Sequence, residues 1–348
     1  MTDVIPAFNV ENQGTFLNTA TFQELTDITT RHFIAVGGFI VPQAQQLFIT
    51  ENPGGAQGEY YVAQEYDIDT YASAKYQGVD AAKAKFGIGY FKSIKANRIG
   101  KEAEITWDMR YYNKRTEVMT AITSLPNYCP QRVELDLTHR FTFCTSSSYV
   151  NRDGDTVDVT TGTGNPLAYA TNPLKFSSST YSSRLSGDPL FSKGALELAQ
   201  TMMTTEIMNN FGEKRVMQFN TIVTGPNATV VNAVRQLIRS MSDNTQTNSG
   251  VQNTHQNEYR HVILQNLATT AFGAPDSTKK NWWFVVAANA GLLGWQGYFI
   301  NFEGVNLTPS TVGNGIDVHK DIWYYNVRQS YGIGVVTPRG LLASCPVS

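Results

Sequence analysis

Two extended runs separated by a turn constrain this chain more than any other feature. The first, Glu59-Tyr-Tyr-Val-Ala-Gln-Glu-Tyr-Asp-Ile-Asp69, is rich in tyrosine and lacks a helical period. The second runs from Ala84 to Ile99, and the section around Gln77-Gly78-Val-Asp80 lies between them. Together they predict a long β-hairpin. Charge divides it. Glu59, Glu65, Asp67 and Asp69 lie on the outgoing run without a base, whereas the section from Lys75 onward holds Lys83, Lys85, Lys92, Lys95, Arg98 and Lys101. Opposite charges on paired strands stabilise a hairpin locally. The excess of lysines near the turn leaves charge to meet carboxylates on another surface.

At 348 residues the chain is long enough for more than one packing unit. Charged residues make up only 16% of it, against roughly 25% in an average soluble domain. Its surface is therefore covered by uncharged polar side chains, buried against other chains, or both. A net charge of −2 argues against a dedicated nucleic-acid binder, while weak contact with DNA stays compatible with it. Cys129, Cys144 and Cys345 are odd in number and have no metal-like spacing, so reduced structural thiols are expected rather than a disulfide framework or zinc site. The start, Met1-Thr-Asp-Val-Ile-Pro, lacks the features of a signal peptide, and the apolar run Trp282 to Ala288 is too short to span a bilayer.

Along the rest of the chain, residues 1 to 54 read as an arm without its own core. Lys114 to Leu125 is expected to be helical and to stop at Pro126. From Pro130 to Cys144 two periods compete: Val133, Leu135, Leu137, Phe141 and Phe143 alternate like a strand, and Val133, Leu137, Phe141 and Cys144 form a helical stripe. The Ser/Thr/Gly-rich section from Ser146 to Phe191 is expected to hold short hairpins. Leu196, Ala199, Met203, Ile207 and Phe211 predict a helix ending near Gly212. Val230, Val234, Leu237, Ile238 and Met241 predict another, capped by Asn227 or Thr229. Strands are expected at Arg260 to Leu264, Trp282 to Ala287 and Tyr298 to Phe302.

The order of three motifs resembles the tailed-phage major capsid proteins. In that family a loop of the type Gly-Asp-Gly-x-x-Leu, with a later His-Pro, precedes a helix opening near Ser-x-x-Ala-Leu-Glu. A short strand then leads through a proline into a second helix. This chain has Gly162, Gly164, Leu167 and Asn172-Pro173, then Ser192-Lys-Gly-Ala-Leu-Glu197, then Asn220-Thr-Ile-Val-Thr-Gly-Pro-Asn-Ala228. Thr163 and Asn172 stand where the family has Asp and His. The closing section, from Ile322 through Tyr331-Gly to Pro338-Arg-Gly-Leu-Leu-Ala-Ser344, resembles the family's final strands.

That resemblance implies an α+β chain with the HK97-like capsid fold. Its parts would be an N-terminal arm at residues 1–54, an extended hairpin (the E-loop) at 55–100, a peripheral domain at 101–215 and 318–348, and an axial domain at 216–317. A long spine helix is implied at Pro130 to Cys144, which favours helix over strand there. It further implies a non-enzymatic subunit that assembles into pentamers and hexamers of an icosahedral shell, in the host cytoplasm, around double-stranded DNA. Portal, scaffold and decoration proteins would be partners, and no cofactor or membrane would be involved. Glu59, Glu65, Asp67, Asp69, Lys75, Lys83, Lys85 and Lys92 would make the hairpin's contacts with a neighbouring subunit. An arm this short further implies that no long N-terminal fragment is cleaved during maturation. Two other readings remain: an encapsulin-like compartment of the same fold, and a β-rich enzyme or carbohydrate-binding module.

Catalytic signatures are sparse. Gly100-Lys101 is followed by Glu102, so it is no phosphate-binding loop, and Gly87-Ile-Gly89 lacks the third glycine of a dinucleotide fingerprint. His32, His139, His255, His261 and His319 show no metal-ligand spacing. Asn151, Asp153, Asp155 and Asp158 alternate like calcium ligands, but the glycine and terminal glutamate of an EF-hand loop are missing. A tight Asp-Gly turn explains them more simply.

Overall fold

A computed structural model describes residues 42–53, 59–78, 80–106, 108–109, 112, 115–241, 252–288, 294–309, 316–317 and 322–347. The elements are, in order, a 3-10 turn Gln43–Leu47, β1 Ile49–Glu51, β2 Tyr60–Ile68, β3 Phe86–Lys95, β4 Asn97–Thr106 and α1 Arg115–Thr142. Next come β5 Ser148–Val150, β6 Thr156–Asp158, β7 Asn172–Pro173, β8 Thr180–Tyr181, α2 Lys193–Thr205, β9 Thr221–Thr224 and α3 Ala228–Arg239. The remainder is β10 Arg260–Ile263, a 3-10 turn Ser277–Lys279, β11 Trp283–Val286, β12 Gly297–Pro309, β13 Ile316–Asp317, β14 Ile322–Val335 and β15 Leu341–Ser344. The class is mixed α+β, as the sequence implies.

The chain forms two compact units. One comprises residues 1–41, 98–131 and 304–330, of which 1–41 lie outside the described residues, and with them most of the expected arm. In this unit Ile105, Leu125, Cys129, Tyr325 and Val327 form a small buried core. Leu125 and Cys129 are one turn apart on α1, so both reach that core. Pro126 does not stop the helix. Pro126 and Pro130 both lie inside α1. Being four residues apart, they leave their missing N–H groups on one face, and burial of Leu125 and Cys129 offsets the lost hydrogen bonds.

The other unit comprises residues 42–97, 132–303 and 331–348. Its sheet has the order β10-β9-β11-β15, with β10 parallel to β9 and the other pairs antiparallel. Both β9 and β11 are buried along their whole length, which explains the uninterrupted apolar run of β11. Helices α2 and α3 close the core over them: Leu196, Ala199, Met203, Val234, Ile222, Trp283 and Val285 share one cluster. Fully burying a side chain of this size contributes about 1.5–3 kcal/mol. Ser192 caps α2 by accepting from the Ala195 N–H, and Asn227 caps α3 by accepting from the Thr229 N–H.

Val133, Leu137, Phe141 and Cys144 are buried, so the helical reading of that stretch holds and the alternating one does not. Phe141 sits at an aromatic junction with Phe48, Phe284 and Trp295. Two other expectations need correction. Helix α2 ends at Thr205, well before Gly212, because the hydroxyls of Thr204 and Thr205 turn back onto helix carbonyls and Asn209 organises the next turn. Met241 is exposed, since α3 ends at Arg239. Residues 322 to 335 form one strand.

Residues 174 to 207 share a core with 217 to 287. β15, from the chain's last section, completes the same sheet.

Candidate functional site

Strands β2 and β3 pair antiparallel from Tyr60 opposite Lys95 to Ile68 opposite Phe86, and residues 69–85 carry the chain between them. The register slips between Gln64 and Tyr66: Gln64 faces Phe91, whereas Tyr66 faces Ile88. One extra residue on β3 thus switches its parity. Phe91, Ile88 and Phe86 come to lie on the same face as Tyr60, Val62, Tyr66 and Ile68. This outer face is exposed, with Tyr60 at 54%, Phe91 at 58% and Phe86 at 63%. Tyr66 and Phe86 stack on it at 6.0 Å between ring centroids.

The inner face carries the charge. Glu65 and Asp67 are 1% and 2% exposed. Arg339 Nη1 lies 2.6 Å from Glu65 Oε1 and 3.1 Å from Asp67 Oδ2, and Arg215 Nη1 lies 2.9 Å from Asp67 Oδ1. Asn210 completes the network: its Nδ2 donates to Glu65, its backbone N–H donates to Asp67, and its Oδ1 accepts from Arg339. Two carboxylates therefore face two guanidiniums, and the buried site is neutral. Burial works against the Arg339 charge, but Glu65 and Asp67 outweigh it and raise its pKa.

Glycines let the inner face approach this closely. A Cβ on Gly89 would lie 2.5 Å from Glu65 Oε2, and one on Gly87 would strike the Phe176 ring at 2.5 Å. The Gly87-Ile-Gly89 pattern is thus a packing device. Gly162 plays a similar part, donating its N–H to the Val336 carbonyl with the Phe91 carbonyl 3.0 Å from a virtual Cβ. The motif loop that contains it turns at Gly164, whose φ of 84° suits glycine. Its Leu167 and Asn172 are both buried, Asn172 donating to the Tyr169 carbonyl and the Ser183 hydroxyl.

Among the eight hairpin charges, Glu65, Asp67 and Lys92 have ion-pair partners within the chain. Glu65 and Asp67 are sealed against Arg339 and Arg215. Lys92 lies 2.6 Å from Asp158 and donates to Thr160 as well. Burial pushes the Asp158 carboxyl up, but the hydrogen bonds from Lys92 and Thr160 outweigh it and hold it below the usual carboxylate range. Lys75, Lys83 and Lys85 are exposed in the connecting segment, as is Glu59 at the hairpin's base. Asp69 is half-buried where its backbone N–H meets the Lys85 carbonyl. The expected pairing of acidic strand with basic return is not what joins β2 to the chain. Arg339 does that, and the charge split gave no sign of it. Its signal was a lone arginine between apolar segments, in Val336-Thr-Pro-Arg-Gly-Leu-Leu342.

Two carboxylates of residues 151–158, Asp153 and Asp158, are similarly occupied. Asp153 pairs with Arg132, and Asn151 Oδ1 accepts from the N–H groups of Asp153 and Asp155 around Gly154. This is a tight turn in the β5–β6 hairpin. Among the described residues no group of three His, Cys, Asp or Glu is placed to hold a metal ion, and no helix is long and apolar enough to cross a membrane.

No protein-family model matches the sequence, and no curated protein matches it. Solved structures do match. The capsid of Ralstonia phage GP4 is 13% identical with a TM-score of 0.50, over 85% of this chain and 86% of its own. A chain from Gordonia phage Cozz is 12% identical with a TM-score of 0.49, over 87% and 85%. The capsid of cyanophage P-SCSP1u is 11% identical with a TM-score of 0.48, over 85% and 85%. The match to the Ralstonia phage capsid shows that this chain shares its fold with a phage capsid chain across most of both lengths.

Proposed function

We propose that this chain is the major capsid protein of a tailed phage, a subunit that builds an icosahedral shell around double-stranded DNA. The observation that carries the reading is the inverted hairpin. A solvated strand pair normally turns polar residues outward and apolar residues to the core. β2 and β3 bury Glu65 and Asp67 and expose Tyr60, Val62, Ile68, Phe86, Ile88 and Phe91. An apolar face of this extent marks an interaction surface. In a shell, a neighbouring copy covers it, and the rigid salt-bridged base holds it at a fixed angle. The fold shared with a phage capsid supports the same reading.

On this reading the subunit has the HK97-like arrangement, with β2–β3 as the E-loop and α1 as the spine helix, and it forms pentamers and hexamers in the host cytoplasm. Apolar contacts of the outer face provide the area, while Lys75, Lys83 and Lys85 find carboxylates on the neighbour. Exposed ion pairs are worth only about 0–1 kcal/mol each, but a closed shell repeats them in every subunit. Portal, scaffold and decoration proteins are further partners. DNA contact is weak and without sequence preference, since a net charge of −2 supplies few phosphate contacts.

Sedimentation and electron imaging of the purified protein test the proposal. Closed particles of megadalton mass that protect double-stranded DNA are expected from infected cells. A small soluble oligomer would overturn it, and a closed particle enclosing protein cargo without DNA would favour the encapsulin-like reading instead.

A further inference from the structure

Cys144 and Cys345 are 201 residues apart in sequence, yet their sulfur atoms lie 3.5 Å apart in the fold. Cys144 follows the end of α1 and Cys345 follows the end of β15. Each is held from its own side. The Cys144 carbonyl accepts from the Ala168 N–H, and the Cys345 N–H donates to Asp188 Oδ1. Asp188 is itself gripped by the Arg184 guanidinium at 2.5 Å. Both thiols are buried, and Cys129, the third, belongs to the other compact unit.

We propose that Cys144 and Cys345 form a redox-controlled latch, thiols in a reducing compartment and a disulfide once the protein meets a small-molecule disulfide oxidant. This pair goes beyond the shell-forming role and does not depend on it. The sulfurs need to close from 3.5 Å to about 2.05 Å, a movement within the reach of side-chain rotation. Burial pushes the Cys144 thiol well above its ordinary pKa, which slows attack by it. Cys345 attacks first, when the segment after β15 opens toward exposed Val347. It loses its proton to solvent, attacks one sulfur of the oxidant RSSR and expels RS⁻. Cys144 then loses its proton, attacks the Cys345 sulfur of the mixed disulfide and expels the second RS⁻. The net change is two protein thiols and one RSSR giving one protein disulfide and two RSH. The oxidant is reduced by the two electrons the cysteines lose.

The ring so closed contains α2, α3 and the β10-β9-β11-β15 sheet, so the bond ties the chain's last strand to the end of α1. A ring of this length removes much unfolded-state entropy. The full chain, incubated with oxidised glutathione and then alkylated under denaturing conditions, is expected to take up one alkyl group instead of three and to yield one linked peptide joining Cys144 to Cys345. Its melting temperature is expected to rise by about 5 °C and to return on adding dithiothreitol. Cys129→Ser is expected to leave both readouts intact, and Cys345→Ser and Cys144→Ala to abolish them. Three alkylated thiols, a linkage through Cys129, or a linked protein with unchanged melting would each overturn the latch. The wild-type peptide map decides the case even if a variant fails to fold.

Discussion

Arg339 and Glu65 meet through a 2.6 Å ion pair in which both side chains are almost wholly removed from water. The pair joins the loop before β15 to the inner face of β2, 274 residues earlier in the chain by their numbers. Removing one partner of a buried pair leaves the other charge without compensation, which typically costs about 3–5 kcal/mol. Arg339→Met is expected to destabilise the protein by that amount, read as a shift of the urea midpoint. Adding Glu65→Gln should recover part of the loss, because Asp67 keeps Arg215. A loss below about 1 kcal/mol in the single variant would show that the network does not hold the hairpin.

A second expectation concerns close approach. A Cβ on Gly162 would lie 2.7 Å from the Val336 carbonyl oxygen, and one on Gly334 would lie 2.6 Å from Ile94 Cγ1. Gly304 has open space in the same position. Gly162→Ala, which meets backbone that cannot rotate away, is expected to cost about 1–3 kcal/mol. Gly304→Ala should be within about 0.5 kcal/mol of wild type. Equal thermal shifts for both would contradict the packing described.

The outer face of the hairpin should matter to assembly and little to the isolated fold. Phe91 and Ile88 are exposed, so Ile88→Lys and Phe91→Lys are expected to change subunit stability by no more than about 0.5 kcal/mol each. The same variants should fail to form closed particles. Lys83→Glu with Lys85→Glu tests the charged tip separately, and weaker, more salt-sensitive assembly is expected from it. Normal shells from the double lysine variant confine the clasp to the apolar face; normal shells from the apolar variants as well would remove the hairpin from the interface.

Much of this was legible in the sequence where one physical signal dominated. The hairpin was visible because its runs are long and β-prone, and α3 because Val230, Val234, Leu237 and Ile238 repeat cleanly behind an Asn cap. The pattern from Val133 to Phe141 slightly favoured a strand, and only the family resemblance favoured the helix. Pro126 misled because the burial that carries α1 past it comes from residues distant in sequence, Ile105, Tyr325 and Val327. The candidate site was half legible. Its acidic residues were identified, but their burial was not: alternate residues of β2 point inward, and Glu65 and Asp67 are among those. The bulge that aligns Ile88 and Phe86 with Phe91 depends on pairing register, which no single strand's sequence reveals.

The last expectation concerns acid. His139 is buried on α1, edge-on to Phe143 and Tyr149, with Thr269 Oγ1 3.4 Å from its Nε2, a backbone hydrogen bond to Thr270, and no partner for its Nδ1. Burial, followed by the charges of Arg132, Lys279 and Arg140, pushes its pKa down to about 4. An unfolded histidine titrates near 6.5, so between these values the unfolded state binds the extra proton. Stability from this group is therefore complete above about pH 6.5 and is lost as the pH falls toward 4. The shift corresponds to about 3 kcal/mol at most. Carboxylates with lowered pKa, such as Asp158, lose their contribution only at lower pH, so the two effects separate. Urea denaturation of the unassembled subunit at pH 7.0, 6.0, 5.0 and 4.5 should show a slope that His139→Phe reduces. Parallel slopes for wild type and variant would mean that His139 is not held neutral by the fold.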